Sequence, residues 1–306
     1  MTRNTKAIVA VLAFLALPAI LALADAAVFW ARNRSNGVLV SSGETREYEL
    51  YVPPAYSASR RVPLVISLHG AGGWPVQQMQ ISGWNRLAAR ENFIVAYPAG
   101  SGNFGPRIWH TGSGNAATRD VRFISDLIDK LERDYAIDRE RIYINGLSNG
   151  GGESFVLACT MSERIAAVGM VSSAQMLSWS WCTDRRPVPM IAFHGTADRM
   201  APYDGGRSWL APVPFLPLPK FVAQWARRNG CAPNAIESRP ARDVTRREYQ
   251  RCADDATVVF YTLHGGGHVW PGGEPLPEWF AGADSRTIDA TREMWTFFRE
   301  HRRPLS

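Results

Sequence analysis

Apolar and polar positions along the chain form two kinds of segment. Short apolar runs, bounded by Gly, Pro or polar residues, predict buried strands over 62–68, 93–97, 141–144, 165–171, 188–193 and 257–263. Strict alternation over 47–52 predicts a further strand, and apolar residues at helical spacing predict helices over 120–135 and 285–300. Apolar strands that alternate with helices are typical of parallel strands buried on both faces. The pattern therefore predicts an α/β fold, with a mostly parallel central sheet flanked by helices.

The first residues form a different kind of segment. Arg3 and Lys6 precede an uncharged apolar stretch that ends in Ala-Leu-Ala before Asp25. A basic region, an apolar region and small residues at a cleavage site are typical of a secretory signal peptide. We therefore predict a signal peptide over 1–24, a polar linker over 25–44 and one folded domain over 45–306. The protein would be secreted or periplasmic, and an uncleaved N-terminal membrane anchor is the alternative.

Composition excludes some classes of protein. Of the 306 residues, 46% are hydrophobic and 20% are charged, which is typical of a globular domain. The 34 Lys and Arg residues against 28 Asp and Glu residues give a net charge of +6. Nearly all the positive charge is Arg, scattered along the chain without a basic run. We therefore predict no nucleic-acid partner.

The chain has four cysteines, Cys159, Cys182, Cys231 and Cys252. An even number of cysteines in an exported chain favours disulfides, although spacing alone allows three pairings. Paired cysteines at the spacing of a zinc site are absent from the sequence. The sequence implies neither a metal nor an organic cofactor.

The most specific motif is Gly146-Leu147-Ser148-Asn149-Gly150, which follows a predicted strand and precedes a helical pattern. A G-x-S-x-G sequence between strand and helix is the context of a nucleophile elbow. The tight turn needs small residues at 146 and 150 and presents the serine at the carboxyl end of the sheet. Ser148 is the predicted nucleophile, with a structural turn serine as the alternative.

A serine hydroxyl needs a base, and the base needs an acid to orient it. In this fold both follow the serine, acid first. His268 lies in a glycine-rich loop after the last predicted strand, and Asp198 comes just past the end of the strand over 188–193. We predict these two residues as base and acid, with His264 and Asp204 as their rivals.

Acyl transfer also needs donors for the developing oxyanion. The backbone N–H of Asn149, directly after the nucleophile, is one predicted donor. The other is the backbone N–H of Ala71 in the turn His69-Gly70-Ala71-Gly72-Gly73, with Gly70 or Gly72 as alternatives. A plain glycine turn without a catalytic role is the competing interpretation of this segment.

Four segments together resemble one known family. They are Leu68–Gly73 (LHGAGG), Gly146–Gly151 (GLSNGG), Phe193–Asp198 (FHGTAD) and Gly265–Gly272 (GGGHVWPG). In this order they resemble the esterase family of polyhydroxybutyrate depolymerases and feruloyl or acetylxylan esterases, which has the α/β-hydrolase fold. The resemblance covers roughly residues 45–300. It implies a triad of Ser148, Asp198 and His268 in a catalytic domain.

The resemblance also implies details beyond the triad. It pairs Cys231 with Cys252, which leaves Cys159 with Cys182. His110 stands where the family usually has Asn, so the wall near the acyl group differs here. Trp109, His110 and Trp270 lie beside the catalytic motifs and are candidate substrate-binding residues, while packing is an equal alternative for the tryptophans.

These observations predict an exported serine carboxylesterase. It would hydrolyse short hydroxyalkanoate esters, or feruloyl or acetyl esters, through an acyl-enzyme. The predicted partner is a small-molecule or polymer-linked ester, and a membrane is a partner only if the N-terminal segment stays uncleaved. The alternatives are a serine peptidase or acyltransferase on the same fold, and a non-catalytic polymer-binding protein.

Overall fold

The computed structural model describes residues 35–102, 107–112, 114–175, 177–208 and 214–304. The predicted signal peptide and the first ten residues of the predicted linker lie outside these ranges. Within them, every helix is too short or too polar to cross a membrane.

The described residues form one ten-stranded sheet with the order β1-β2-β4-β3-β5-β6-β7-β10-β9-β8. The strands are β1 (Gly37–Ser41), β2 (Glu44–Tyr51), β3 (Val62–Leu68), β4 (Ile94–Pro98), β5 (Ile137–Leu147), β6 (Ala167–Val171), β7 (Met190–Gly195), β8 (Ile236–Ala241), β9 (Val244–Tyr249) and β10 (Val258–Leu263). Every pairing from β4 through β3, β5, β6 and β7 to β10 is parallel. The pairs at the two edges are antiparallel.

Helices cover both faces of the sheet. They are α1 (Pro75–Ser82), α2 (Trp84–Glu91), α3 (Asn115–Asp134), α4 (Asn149–Thr160), α5 (Leu218–Arg228), α6 (Glu278–Ala281) and α7 (Ala290–Glu300). Apolar residues of α3, α4 and α5 pack on one face, and those of α1, α2 and α7 pack on the other. Strand β3 is buried along its whole length, as its unbroken apolar run predicts. The predicted α/β fold with a mostly parallel sheet is confirmed.

The structure corrects the boundary of the predicted linker. Residues 37–41 form β1, which pairs antiparallel with β2, so the sheet begins inside the segment assigned to the linker. The β8–β9 hairpin was also absent from the predicted strands. Five of the six residues of β8 are exposed, and three polar residues stand together within it, so this strand produces no apolar run in the sequence.

Both disulfides implied by the family resemblance are confirmed. Cys231 is bonded to Cys252, and Cys159 is bonded to Cys182. The first bond joins the segment after α5 to the segment after β9. The second joins the last turn of α4 to the segment that follows β6.

Candidate active site

Ser148 occupies a strained turn between β5 and α4. Its backbone has φ 55° and ψ −120°, a conformation that costs a non-glycine residue free energy. A Cβ atom at Gly146 would collide with the backbone of Gly150, and one at Gly150 would collide with the carbonyl oxygens of Leu68 and His69. The two glycines thus permit the turn that puts Ser148 at the N-cap of α4.

This close approach predicts a large effect of Gly150→Ala. The added methyl group would meet backbone atoms, which cannot move as a flexible side chain can. We expect a loss of at least about 3 kcal/mol in the free energy of unfolding, measured by urea denaturation. Gly112→Ala is the matched control because nothing lies within 4 Å of its added methyl group. Equal stability of both variants would contradict this account of the turn.

Asp198 and His268 meet at the carboxyl edge of the sheet, although 70 residues separate them in the chain. His268 Nδ1 lies 2.8 Å from Asp198 Oδ2, and both residues are buried. Asp198 Oδ1 accepts hydrogen bonds from the backbone N–H groups of Met200 and Ala201, each at 2.8 Å. Both carboxylate oxygens are therefore held in place, and Nε2 is the ring nitrogen of His268 that does not face Asp198.

The electrostatics of Asp198 favour its charged form. Burial alone would raise the pKa of this carboxyl, but the hydrogen bond from His268 and the charges of His268 and His194 lower it below its usual value. His194 Nε2 lies 3.3 Å from Asp198 Oδ2 and 2.7 Å from the carbonyl oxygen of Ala201. Sequence reasoning missed this support: His194 lies in the motif Phe193–Asp198, but its position in a predicted strand did not show that it faces Asp198.

The rival residues lie elsewhere. His264 is exposed, and its Nε2 is 2.8 Å from Thr245 Oγ1 rather than from an acid. Asp204 is exposed. The structure thus brings together the two residues preferred from the sequence.

Backbone and side-chain bonds link Ser148 to the histidine loop through the end of β6. The N–H of Ser148 donates to the carbonyl oxygen of Val171 at 2.8 Å. Ser172, the next residue, donates from Oγ to the carbonyl oxygen of Val269 at 3.0 Å. The predicted nucleophile elbow and the loop of His268 are therefore both hydrogen-bonded to the same segment, Val171–Ser172.

The predicted oxyanion turn lies against Ser148. A Cβ atom at Gly70 would be 3.4 Å from the Cβ of Ser148. The N–H of Gly72 donates to the carbonyl oxygen of Arg107 at 2.8 Å, so Gly72 is occupied. This removes one of the three candidate donors of this turn and leaves Ala71 and Gly70.

A third segment is clamped to the elbow by the side chain of Asn149. Its Oδ1 accepts from the N–H of Trp109 at 2.7 Å, and its Nδ2 donates to the carbonyl oxygen of Trp109 at 2.9 Å. The indole N–H of Trp109 donates to the carbonyl oxygen of His69 at 3.0 Å. Trp109 is thus hydrogen-bonded both to the predicted oxyanion turn and to the predicted nucleophile elbow.

The two candidate substrate-binding tryptophans are both packed. Trp109 and Trp270 are each 2% exposed. The indole N–H of Trp270 donates to Thr291 Oγ1 at 2.9 Å. With rings buried and indole N–H groups occupied, both side chains fit the packing alternative, and the structure does not support direct contact with substrate.

His110 differs from these tryptophans because its side chain is 35% exposed. Its Nδ1 and its backbone N–H both lie 2.9 Å from Oδ2 of the fully buried Asp120. Asp120 Oδ1 accepts from Arg46 at 2.9 Å and from Ser101 Oγ at 3.1 Å. This network orients an accessible imidazole beside Trp109. The sequence offered no signal for Asp120, which lies in a helix without a motif.

His69 is a buried residue of the predicted oxyanion turn and links it to Gly100. It is 1% exposed, with Nδ1 2.7 Å from the carbonyl oxygen of Gly70, while Nε2 accepts from the N–H of Gly100 at 2.9 Å. The proton therefore resides on Nδ1. Burial lowers the pKa of His69 to about 4, so the ring is neutral at pH 7.

This lowered pKa predicts that stability falls in acid. Unfolded His69 regains its ordinary pKa of 6.5, so between about pH 6.5 and pH 4 the unfolded state binds more protons. The contribution of His69 to the free energy of unfolding is fully present above pH 6.5. We expect about 3 kcal/mol to be lost as the pH falls towards 4.

The matched variant is His69→Gln, which keeps a donor and an acceptor but does not titrate in this range. Urea denaturation of both proteins at pH 7, 6, 5 and 4 measures the difference. A smaller loss of stability in the variant is the expected result. Equal losses in the two proteins would contradict the assignment to His69.

Among the described residues, no group of three or more His, Cys, Asp and Glu side chains could hold a metal ion. Ser148, Asp198 and His268 follow β5, β7 and β10, respectively, at this edge of the sheet. A parallel sheet with a serine elbow after one strand, an acid after a later one and a histidine after the last defines the class of α/β hydrolases.

Comparisons with known proteins agree with this class. Residues 46–178 match the family described as "Esterase PHB depolymerase". The probable feruloyl esterase C of Aspergillus niger is 28% identical over 269 residues, which cover 86% of this chain and 87% of that protein. The acetyl xylan esterase of Aspergillus awamori shares the fold, with a TM-score of 0.60 at 16% identity over 83% of this chain and 94% of that one.

Other relatives are longer proteins. Feruloyl esterase B of Piromyces equi is 27% identical over 71% of this chain, and the match spans 41% of that protein. The bifunctional acetylxylan esterase/xylanase of Neocallimastix patriciarum is matched over 22% of its length. The resemblance to the family of polyhydroxybutyrate depolymerases and feruloyl or acetylxylan esterases is confirmed. The relatives named here are feruloyl and acetylxylan esterases, which are carboxylic ester hydrolases.

Proposed function

We propose that this protein is a serine esterase that hydrolyses carboxylic esters through an acyl-enzyme. The observation that carries the proposal is the buried Asp198–His268 hydrogen bond of 2.8 Å, at the sheet edge where Ser148 occupies its strained turn. A structural serine has no need of φ 55° at a helix start, and strain of this kind is concentrated at functional sites.

Acylation follows from these roles. Ser148 Oγ attacks the ester carbonyl carbon while His268 Nε2 takes the hydroxyl proton. The negative charge of Asp198 stabilises the imidazolium and keeps its proton on Nδ1. The backbone N–H groups of Ala71 and Asn149 donate to the oxyanion, each contributing about 3 kcal/mol to the transition state. The imidazolium then protonates the leaving alcohol, and the acyl group stays on Ser148.

Deacylation uses the same groups in reverse order. His268 Nε2 takes a proton from water, and the resulting hydroxide attacks the acyl carbon. The second tetrahedral intermediate collapses, the His268 imidazolium gives its proton to Ser148 Oγ, and the carboxylic acid leaves. Overall, one ester and one water are converted into one carboxylic acid and one alcohol. No further reactant is required.

His110 is the proposed polar contact for the substrate. Asp120 holds its Nδ1, and 35% of the side chain is exposed, so we propose that the opposite nitrogen, Nε2, faces the substrate. Ile108, two residues away, is 41% exposed. One accessible nitrogen beside an exposed aliphatic side chain suits the carbonyl and the apolar part of an acyl group.

The proposed substrates are short hydroxyalkanoate esters, or feruloyl or acetyl esters attached to a polysaccharide. Relatives of this chain have names that specify feruloyl or acetylxylan esters. Export is part of the same proposal, supported by the two disulfides, because such bonds persist in oxidising compartments.

Initial rates on a panel of substrates test this proposal. The panel holds p-nitrophenyl acetate and butyrate, methyl ferulate, acetylated xylan, soluble 3-hydroxybutyrate oligomers and amide analogues of the first two. We expect turnover of esters, with the highest kcat/KM on one natural class and little on amides. Faster amide than ester cleavage would indicate a peptidase. Inactivity of the folded protein on every substrate would indicate an acyltransferase or a binding protein.

A further inference from the structure

Two neighbouring aromatic side chains on α6 stand in solvent. Trp279 is 88% exposed and Phe280 is 48% exposed, and their ring centroids are 5.8 Å apart. Large aromatic rings gain free energy when they leave water, so a contiguous exposed pair marks a binding surface more often than a scattered single residue does. We call Trp279 and Phe280 the aromatic platform.

The platform is attached directly to the loop that carries His268. The N–H of His268 donates to the carbonyl oxygen of Ala281 at 2.5 Å, and the N–H of Gly267 donates to that of Ala283 at 2.8 Å. Trp279 is two residues from Ala281, so their Cα atoms are at most about 7.6 Å apart. The platform therefore lies beside the histidine of the proposed triad.

The backbone of the platform is held in place. The N–H groups of Phe280 and Ala281 both donate to the carbonyl oxygen of Pro277 at 2.9 Å, and the N–H of Gly282 donates to that of Glu278 at 2.8 Å. A ligand that stacks here orders little backbone on binding, which preserves its binding free energy.

The polar neighbours of the platform favour a sugar over an apolar polymer. Glu278 and Glu274 are exposed on either side of Pro277, within five residues of Trp279. A pyranose ring presents a C–H face that packs on an aromatic ring and hydroxyl groups that donate to carboxylates. A polyester surface offers no such donors, and burial of a carboxylate against it would cost free energy.

We propose that the aromatic platform is a polysaccharide subsite, at which Trp279 and Phe280 stack on a sugar ring of the chain that carries the ester. Its catalytic consequence rests on the esterase function proposed above. Its binding function does not require turnover. Small esters that end at the scissile bond would not reach it.

Binding is measured first, in a Ser148→Ala background that cannot consume the ligand. Affinity gel electrophoresis with soluble xylan compares this protein with the additional substitutions Trp279→Ala, Trp279→Phe and Trp181→Ala. Trp181 is the matched control because it is 57% exposed. Trp181 also lies far from Ser148. Its neighbour Cys182 is bonded to Cys159, which is eleven residues, or about 16 Å along α4, from Ser148.

We expect Trp279→Ala to weaken xylan binding about 10-fold, Trp279→Phe to restore most of it, and Trp181→Ala to change nothing. With Ser148 present, the ratio of kcat/KM on acetylated xylan to kcat/KM on p-nitrophenyl acetate should fall about 10-fold in Trp279→Ala. Thermal melting checks that each variant is folded. We expect all of them to fold because the substituted tryptophans are exposed.

Unchanged xylan binding in folded Trp279→Ala would overturn the proposal. So would loss of binding to poly(3-hydroxybutyrate) particles in that variant without any loss on xylan, which would assign the platform to a polyester. Xylan binding that depends on Trp279, in a protein that turns over no ester, would support the platform and contradict the esterase function.

Discussion

Ser148→Ala is expected to lower kcat/KM on every ester by about 10⁵-fold and to leave the fold unchanged. The substitution removes only the hydroxyl oxygen that is proposed to form the acyl-enzyme, while the oxyanion donors and the substrate surface remain. Alanine has the same backbone constraints as serine at φ 55°, so the strain of the turn persists in the variant. Initial rates on p-nitrophenyl acetate, with urea denaturation in parallel, measure both effects.

Ser173→Ala is the matched control for this experiment. Ser173 is 5% exposed, follows β6 at the same edge of the sheet, and lies close to Gly151 of the helix that begins after Ser148. We expect its activity to stay within about 3-fold of the wild type, because this hydroxyl has no proposed role. Full activity of folded Ser148→Ala would disprove the assigned nucleophile. A large loss in Ser173→Ala instead would move the assignment there.

Asp198→Asn is the second large effect, with an expected loss of about 10⁴-fold in kcat. Oδ2 of Asp198 accepts from His268 Nδ1, and Oδ1 accepts from the N–H groups of Met200 and Ala201. An asparagine has one oxygen and one NH₂ group for these positions. Its NH₂ group must therefore face the two backbone donors, or face His268 Nδ1 and force the proton of the imidazole onto Nε2.

Either arrangement removes the charge that stabilises the imidazolium, and the second also blocks proton uptake from Ser148. The control is Asp204→Asn, the rival acid, which is exposed and should retain nearly full activity. Rates measured from pH 5 to pH 9 on p-nitrophenyl acetate compare the two variants. A loss in Asp204→Asn that equals the loss in Asp198→Asn would contradict the present assignment of the acid.

The parts of this molecule that could be predicted from the sequence are those whose physics is local. The short apolar run over 62–68, bounded by polar residues and glycine, predicts a buried strand, and it forms β3 with these bounds. Gly146 and Gly150 indicate the elbow because the collisions they avoid lie within the turn and the strand beside it. Asp198 and His268 were placed by a general rule, that such residues follow strands whose carboxyl ends meet.

Other features depended on partners that no local pattern specifies. In the sequence, Trp109 and Trp270 cannot be distinguished from exposed tryptophans that bind a sugar. Neighbouring segments bury both. Trp279, which did not stand out in the sequence, is 88% exposed. From the sequence, the N–H of Gly72 is as good a candidate oxyanion donor as those of its neighbours. In the structure it donates to the carbonyl oxygen of Arg107, 35 residues further along the chain.

The sequence by itself determined the strand and helix periodicity, the elbow and the order of the three proposed catalytic residues, because backbone sterics and hydrophobic spacing act over a few residues. Tertiary structure alone decided that His194 also contacts Asp198, how Asp120 orients His110, and which aromatic rings reach solvent. Hydrogen-bond partners and burial are properties of segments that are distant in the chain and become neighbours only when the sheet assembles.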